Sequence, residues 1–169
     1  MNFQKCYWVI PGKFMAGAIP LAGLSADVNP CLEDLHMAGI NHIINLMEAD
    51  EKNEQGDLCA DYTSEAAEQN IKLHRFPIHD LCTPDIYSMY EILKLIKKLL
   101  QRRDNVIYLH CRGGVGRTGT VLGCFLKQVG YSNNHTVFGH IDYLKRSTVF
   151  AHKLSPETEV QREFVLEWS

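Results

Sequence analysis

The feature that most constrains this chain is the run Val106 to Gly119, V-I-Y-L-H-C-R-G-G-V-G-R-T-G. Its first residues are apolar and partly β-branched, the pattern of a buried strand. Gly113, Gly114 and Gly116 then break the run, and the residues from Arg117 onward have helical character. A strand that turns through glycines into a helix start gathers successive backbone N–H groups around one point. The positive end of the helix dipole faces the same point, so the turn is a device for holding an anion.

Two side chains give this turn chemistry. Cys111 opens the loop, Arg117 closes it, and Arg112, Gly113, Gly114, Val115 and Gly116 lie between them. A thiol in such an electropositive place drops from about 8.5 to roughly 3.5–7.5 in pKa and is then a thiolate at neutral pH. The guanidinium of Arg117 is a planar fork that matches two oxygens of a phosphate. The local reading is a phosphate pocket with a nucleophile at its floor.

The rest of the chain supplies a frame for that loop. Tyr7–Ile10 and Lys13–Ala18 read as strands around the Pro11-Gly12 turn, followed by a loop over Ile19–Gly23. Asn29-Pro30 reads as a cap and first position of a helix that ends at Gly39. His42–Met47 and Ile71–Phe76 read as strands, with a helix over Asp61–Gln69 between them and an exposed polar loop over Glu48–Asp57. Thr83 and Pro84 open a long amphipathic helix that turns Ile86, Tyr90, Leu93, Ile96 and Leu100 to the core. After the strand Val106–Leu109, helices follow over about Arg117–Val129 and Asn134–Lys145. A last one opens at Ser155-Pro156-Glu157, with Val160, Phe164, Val165 and Trp168 facing inward. Strands alternating with helices predict one α/β domain over residues 1–169, a mostly parallel central sheet flanked by helices on both faces. The glycine loop then sits at the carboxyl end of a central strand, where such sheets bind ligands.

Bulk properties narrow the function classes. A net charge of −3 leaves no footprint for nucleic acid. No apolar run reaches membrane-spanning length, and the N-terminus is too weakly apolar for a signal peptide. The six cysteines are scattered, which suits a reducing compartment and predicts a cytoplasmic protein. The histidines show no shared ligand spacing, so no metal is expected, and the thiolate chemistry of the loop calls for no cofactor.

His110-Cys111-Arg112-Gly113-Gly114-Val115-Gly116-Arg117-Thr118 resembles the H-C-x5-R-[ST] signature of cysteine-dependent protein tyrosine phosphatases, in particular the small atypical dual-specificity branch. The order of strand, aspartate-bearing loop, long helix, strand, signature loop and helix is similar too. The resemblance implies that Cys111 attacks phosphorus and forms a thiophosphate intermediate. The leaving oxygen needs a proton, and Asp80 occupies the loop where this family carries its general acid. Asp85 competes for that role, but an aspartate at a helix start is explained by the dipole alone. The resemblance further implies that Thr118 donates to the sulfur and that His110 fixes the cysteine backbone. Glu157 and Gln161 are weaker candidates for positioning the hydrolytic water, against a plain helix start with acidic residues in its first turn. Cys82, close to Asp80, is a candidate for a protective disulfide with Cys111; Cys6, Cys31, Cys59 and Cys124 read as structural.

The loop interior holds one cation, Arg112, whereas relatives acting on inositol phosphates place lysines there. A phosphorylated protein, phosphotyrosine above all, is therefore the expected partner. Phosphoinositides, inositol phosphates, an RNA 5′-phosphate and a non-catalytic phosphate binder stand as alternatives. Val115 is expected at the loop rim. Lys94, Lys97, Lys98, Arg102 and Arg103 form a basic face and tail on the long helix, a pattern usually solvated.

Overall fold

The computed structural model describes residues 3–21, 27–53, 55–59 and 61–169. Strands β1 (Cys6–Ile10), β2 (Phe14–Ala18), β3 (His42–Asn45), β4 (Lys72–Arg75) and β5 (Ile107–Cys111) form one sheet in the order β1-β2-β5-β3-β4. The β1–β2 pair is an antiparallel hairpin, turned at Gly12 with a φ of 67°. The β2–β5, β5–β3 and β3–β4 pairs are all parallel. Among the described residues six α-helices complete the fold: α1 (Asn29–Met37), α2 (Thr63–Glu68), α3 (Ile86–Leu100), α4 (Gly116–Gln128), α5 (Val137–Lys145) and α6 (Glu159–Glu167).

Side-chain alternation along the strands makes two cores. Ile107, Leu109 and Cys111 point to one face, which α3, α4, α5 and α6 cover with residues such as Met89, Leu93, Phe125, Ile141 and Val165. Tyr108 points to the other, where Met15 and Ile43 pack against Leu32 and Leu35 of α1 and Ala66 of α2. The result is the α/β layering expected, with helices on both faces of a mostly parallel sheet.

Several local expectations shift. Residues 22–23 of the loop after β2 lie outside the described residues. Asn29 is the first residue of α1, after Val28 at its cap. The helix after β5 begins at Gly116, and α5 begins at Val137 rather than Asn134. The cap of α3 is Asp85, not Thr83, so the helix starts beyond Pro84. Its buried stripe is Met89, Ile92, Leu93, Ile96 and Leu99, and Ile86 and Tyr90 are exposed. The helix start near Ser155 is real but later than expected: Thr158 caps α6 in a capping box with Gln161, and Val160 faces solvent.

Candidate active site

The carboxyl ends of the parallel strands bring three segments together: the loop after β5, the stretch around Asp80 and the polar segment after β3. β5 runs to Cys111, and Val115 stands at the cap position of α4, so the turn between them is four residues long with Val115. Gly114 adopts a φ of 71°, and a Cβ there would stand 2.5 Å from the Gly17 backbone carbon. Only glycine fits, because the conformation and the close approach to β2 both exclude a side chain. Arg112 and Gly113 are exposed, and the Arg112 carbonyl accepts from Ile19 N at 3.2 Å. Val115 is buried in the core rather than set on the rim, which corrects the expectation from sequence. Its carbonyl accepts from Ser155 Oγ at 2.8 Å, which ties the C-terminal segment to the loop.

Arg117 is the centre of the polar network. It is 1% exposed, yet two carboxylates reach it. Glu51 accepts from both terminal nitrogens, Nη1 to Oε1 and Nη2 to Oε2. Nη1 also donates to the Ile78 carbonyl at 2.9 Å, and Nη2 lies 3.0 Å from Asp80 Oδ1. Burial works against the guanidinium charge. The Glu51 hydrogen bonds and the neighbouring Cys111, Glu51 and Asp80 outweigh it, so its pKa rises above the ordinary arginine value. Nε is buried with no acceptor among the described residues. The edge made by Nε and Nη2 is thus available for a bidentate oxyanion, with Asp80 the group that such an anion would displace from Nη2.

Sequence reasoning missed Glu51, which sits in the segment read as an exposed polar loop. That segment folds back through an antiparallel Lys52–Leu58 bridge, and the Glu51 side chain is only 11% exposed. Glu51 Oε1 also accepts from Glu48 N at 2.9 Å.

The loop bearing Asp80 is pinned from both sides. His79 Nδ1 is 2.9 Å from Glu48 Oε2, and Ile78 N donates to Leu46 O at 3.0 Å. On the other side Thr158 Oγ1 donates to Leu81 O at 3.2 Å, and Gln161 Nε2 donates to Cys82 O at 3.0 Å. Leu81 lies in left-handed space at a φ of 62°, a conformation costly for a leucine and held here by those contacts. The Asp80 side chain is 55% exposed and reaches Arg117. Asp85 instead accepts from Ser88 N at 2.8 Å and Ser88 Oγ at 2.7 Å. Those two bonds lower its pKa and give it a capping role.

Behind the loop, His110 is fully buried, and burial holds its pKa down at about 4, so the ring is neutral. Its Nδ1 is 3.2 Å from the Cys111 carbonyl, and its Nε2 contacts the Tyr62 hydroxyl. A carbonyl cannot donate, so Nδ1 carries the proton and Nε2 accepts from Tyr62. Thr118 is buried in the first turn of α4. Its hydroxyl donates to the Gly17 carbonyl at 3.4 Å.

Gln161 is buried and held at both ends of its amide. Its Oε1 accepts from Glu157 N and Thr158 N at 3.2 Å each, while its Nε2 holds Cys82 O. A Cβ on Gly116 would stand 3.0 Å from Gln161 Oε1 and 3.3 Å from Glu157 Oε2, so both residues abut the start of α4. Cys82 is exposed, and no cysteine is disulfide-bonded. Burial raises Cys6 to about 11 and Cys124 to about 12, and it also raises Cys31 and Cys59. Those four thiols are poor nucleophiles.

The chain matches the family described as Swiss Army Knife protein, DSP-PTPase phosphatase domain, over residues 3–163. It is 36% identical over 58 residues to the phosphatidylinositol 3,4,5-trisphosphate 3-phosphatase cnrN of Dictyostelium discoideum, covering 34% of this chain and 9% of that protein. It is 39% identical over 56 residues to cyclin-dependent kinase inhibitor 3 of Rattus norvegicus, covering 33% of this chain and 26% of the relative. The chain thus spans a minor part of those curated relatives. Among solved structures it resembles Tk-PTP in the active form, with a TM-score of 0.75 and 20% identity over 97% of this chain and 95% of the other. PTPMT1 gives a TM-score of 0.69 and 19% identity over 96% and 92%.

Proposed function

This chain belongs to the DSP-PTPase phosphatase family, and from that premise we propose that it hydrolyses phosphate monoesters on proteins, phosphotyrosine first, through Cys111, Arg117 and Asp80. The observation that carries the reading is the convergence of the acid loop and the glycine loop on one guanidinium, with Asp80 Oδ1 3.0 Å from Arg117 Nη2. In this reading the phosphate takes the loop N–H groups and the Nε/Nη2 edge of Arg117. Asp80 is displaced towards the leaving oxygen. The Cys111 thiolate attacks phosphorus, the S–P bond forms, the P–O bond to the leaving group breaks, and protonated Asp80 supplies the leaving oxygen with its proton. Water then attacks the phosphocysteine, Asp80 takes a proton from it, and inorganic phosphate leaves as the thiolate is restored.

The other residues position these three. Glu51 and the Ile78 carbonyl hold the outer edge of Arg117. His110, oriented by Tyr62, holds the Cys111 carbonyl. Gln161 supports the acid loop; Glu157 stays a candidate for the water, because its carboxylate lies beside Gly116. Thr118 anchors the loop to β2 through Gly17. Among the described residues no helix is long and apolar enough to cross a membrane, and the proposed cytoplasmic location rests on the scattered, unpaired cysteines.

A second substrate reading is supported by one observation, the identity shared with a phosphatidylinositol 3,4,5-trisphosphate 3-phosphatase. Arg112, the only cation inside the loop, favours the less charged phosphoprotein. Turnover of a phosphotyrosine peptide and a soluble phosphoinositide, side by side, separates the two. Cys111→Ser is expected to abolish hydrolysis of p-nitrophenyl phosphate while phosphate binding persists. Asp80→Asn is expected to slow alkyl phosphates far more than p-nitrophenyl phosphate, by about 10²-fold or more. Sustained turnover by Cys111→Ser, or the same leaving-group effect from Asp85→Asn, would show the assignments to be wrong.

A further inference from the structure

The outer face of α3 carries a feature that the proposed chemistry does not use. Tyr87, Tyr90, Lys94, Lys97 and Lys98 recur at three- and four-residue spacing, so they form one stripe along the helix. The stripe walls a groove of about 610 Å³, whose far side includes Gln128 at the end of α4. Tyr87 and Tyr90 are 74% and 51% exposed. Lys94 pairs with Glu91 at 3.1 Å, whereas Lys97 and Lys98 have no acidic partner among the described residues. The molecule as a whole carries a net charge of −3, so this positive stripe is a local departure. The side-chain carbonyl of Gln128 is buried with no donor among the described residues.

The groove runs along the helix into which the loop bearing Asp80 leads. Tyr87 stands in the first turn of α3, two residues beyond the Asp85 cap, and the loop bearing Asp80 leads directly into it. Leu81 and Ile86 are exposed at the same end. From Tyr87 to Lys98 the helix rises about 16 Å, the reach of roughly five extended residues.

Resting on the reading that the substrate is a phosphoprotein, we infer that this groove docks an acidic, extended segment of that protein on one side of its phosphorylated residue. Charge complementarity argues for it. Lysines bind carboxylates as point charges on flexible stems and tolerate variation in their spacing. The exposed parts of the Tyr87 and Tyr90 rings offer flat apolar area at little entropic cost. The groove would therefore add affinity and substrate choice without touching the phosphate.

The experiment uses a fluorescein-labelled, unphosphorylated, glutamate-rich peptide and the Lys97→Glu/Lys98→Glu double variant. Anisotropy should show salt-sensitive binding to the wild-type chain, weakened about tenfold in the variant. Activity on p-nitrophenyl phosphate should be equal in both proteins. A phosphotyrosine peptide with an acidic extension should have a kcat/KM about tenfold above its neutral counterpart, and the variant should bring that ratio to about one. Equal probe binding by the two proteins, or none by the wild type, overturns the proposal. So does a variant defect confined to phosphoinositide in anionic vesicles, which would make the stripe a membrane-facing surface. If the probe binds and the variant loses it while no phosphopeptide is hydrolysed, the acidic-peptide site stands and the substrate reading fails.

Discussion

Arg117 has five N–H groups, and Glu51 decides which of them face the glycine loop. With Nη1 and one hydrogen of Nη2 given to Glu51 and the Ile78 carbonyl, the guanidinium cannot rotate without breaking a buried ion pair. Glu51→Ala would leave that edge only the Ile78 carbonyl as acceptor, in a place where Arg117 is 1% exposed. Removing one partner of a buried pair costs about 3–5 kcal/mol when the other charge is left alone; Asp80 still faces Nη2, so the loss here is about 3 kcal/mol or less. A misaimed fork should also lower kcat/KM by about tenfold or more. Urea unfolding and p-nitrophenyl phosphate kinetics test the two effects, and wild-type values on both would show that Glu51 does not aim Arg117. Cys111 and Arg117 could be read from sequence because the loop that joins them is local. Glu51 could not, because it lies 66 residues from Arg117. Its polar neighbours give it the look of solvent-facing chain, and only the fold of residues 48–59 carries it inward.

At the scale of elements, α6 acts as a brace for the acid loop. Its capping box uses Thr158 and Gln161, and the same two side chains reach Leu81 O and Cys82 O. Gln161→Ala therefore removes a cap interaction and a loop contact together, leaving buried acceptors and donors unpaired at a cost of about 1–3 kcal/mol. The looser acid loop should slow alkyl phosphates more than p-nitrophenyl phosphate, whose leaving group needs little protonation. Comparing the two substrates in this variant tests the idea, and an equal fall on both would mean that Gln161 does not act through Asp80. The helix start was legible from acids and proline near Ser155, but not the brace, which depends on residues 77 to 79 positions away. The phase of α3 was also hidden. Ile86, Tyr87, Met89 and Tyr90 put apolar side chains on both faces of its first turns, so periodicity alone cannot choose between them. Packing chooses Met89, while Asp85 rather than Thr83 fixes where the helix begins.

At the scale of the whole molecule, the parallel strands align their ends, and this alone brings residues 46–51, 77–82 and 111–117 to one edge. The alternation of strands and helices made that edge foreseeable. The same sheet also makes folding sensitive to acid. His42 and His74, on neighbouring strands β3 and β4, stack with ring centroids 5.2 Å apart and share a hydrogen bond of 2.9 Å. Burial lowers both pKa values, helped for His42 by His74 and Lys72 and for His74 by Lys72, although the Asn105 side chain partly opposes this at His42. His110 is held at about 4 chiefly by its burial. The unfolded chain regains the ordinary histidine value of about 6.5. Below that pH it binds more protons than the folded state, so stability rises with pH and is lost on acidification. The His42–His74 part fades as pH falls below about 6.5, and the His110 part continues down to about 4, where it amounts to about 3 kcal/mol. Asp61 and Asp85 are also depressed, but they are exposed and titrate lower, so histidines set the slope from pH 7 to 5. Urea unfolding at pH 7.5, 6, 5 and 4.5 should show a monotonic fall in stability, and His42→Gln/His74→Gln should flatten its upper part while sparing the lower. Stability that is flat or rising on acidification would mean that these rings are not held neutral by the fold.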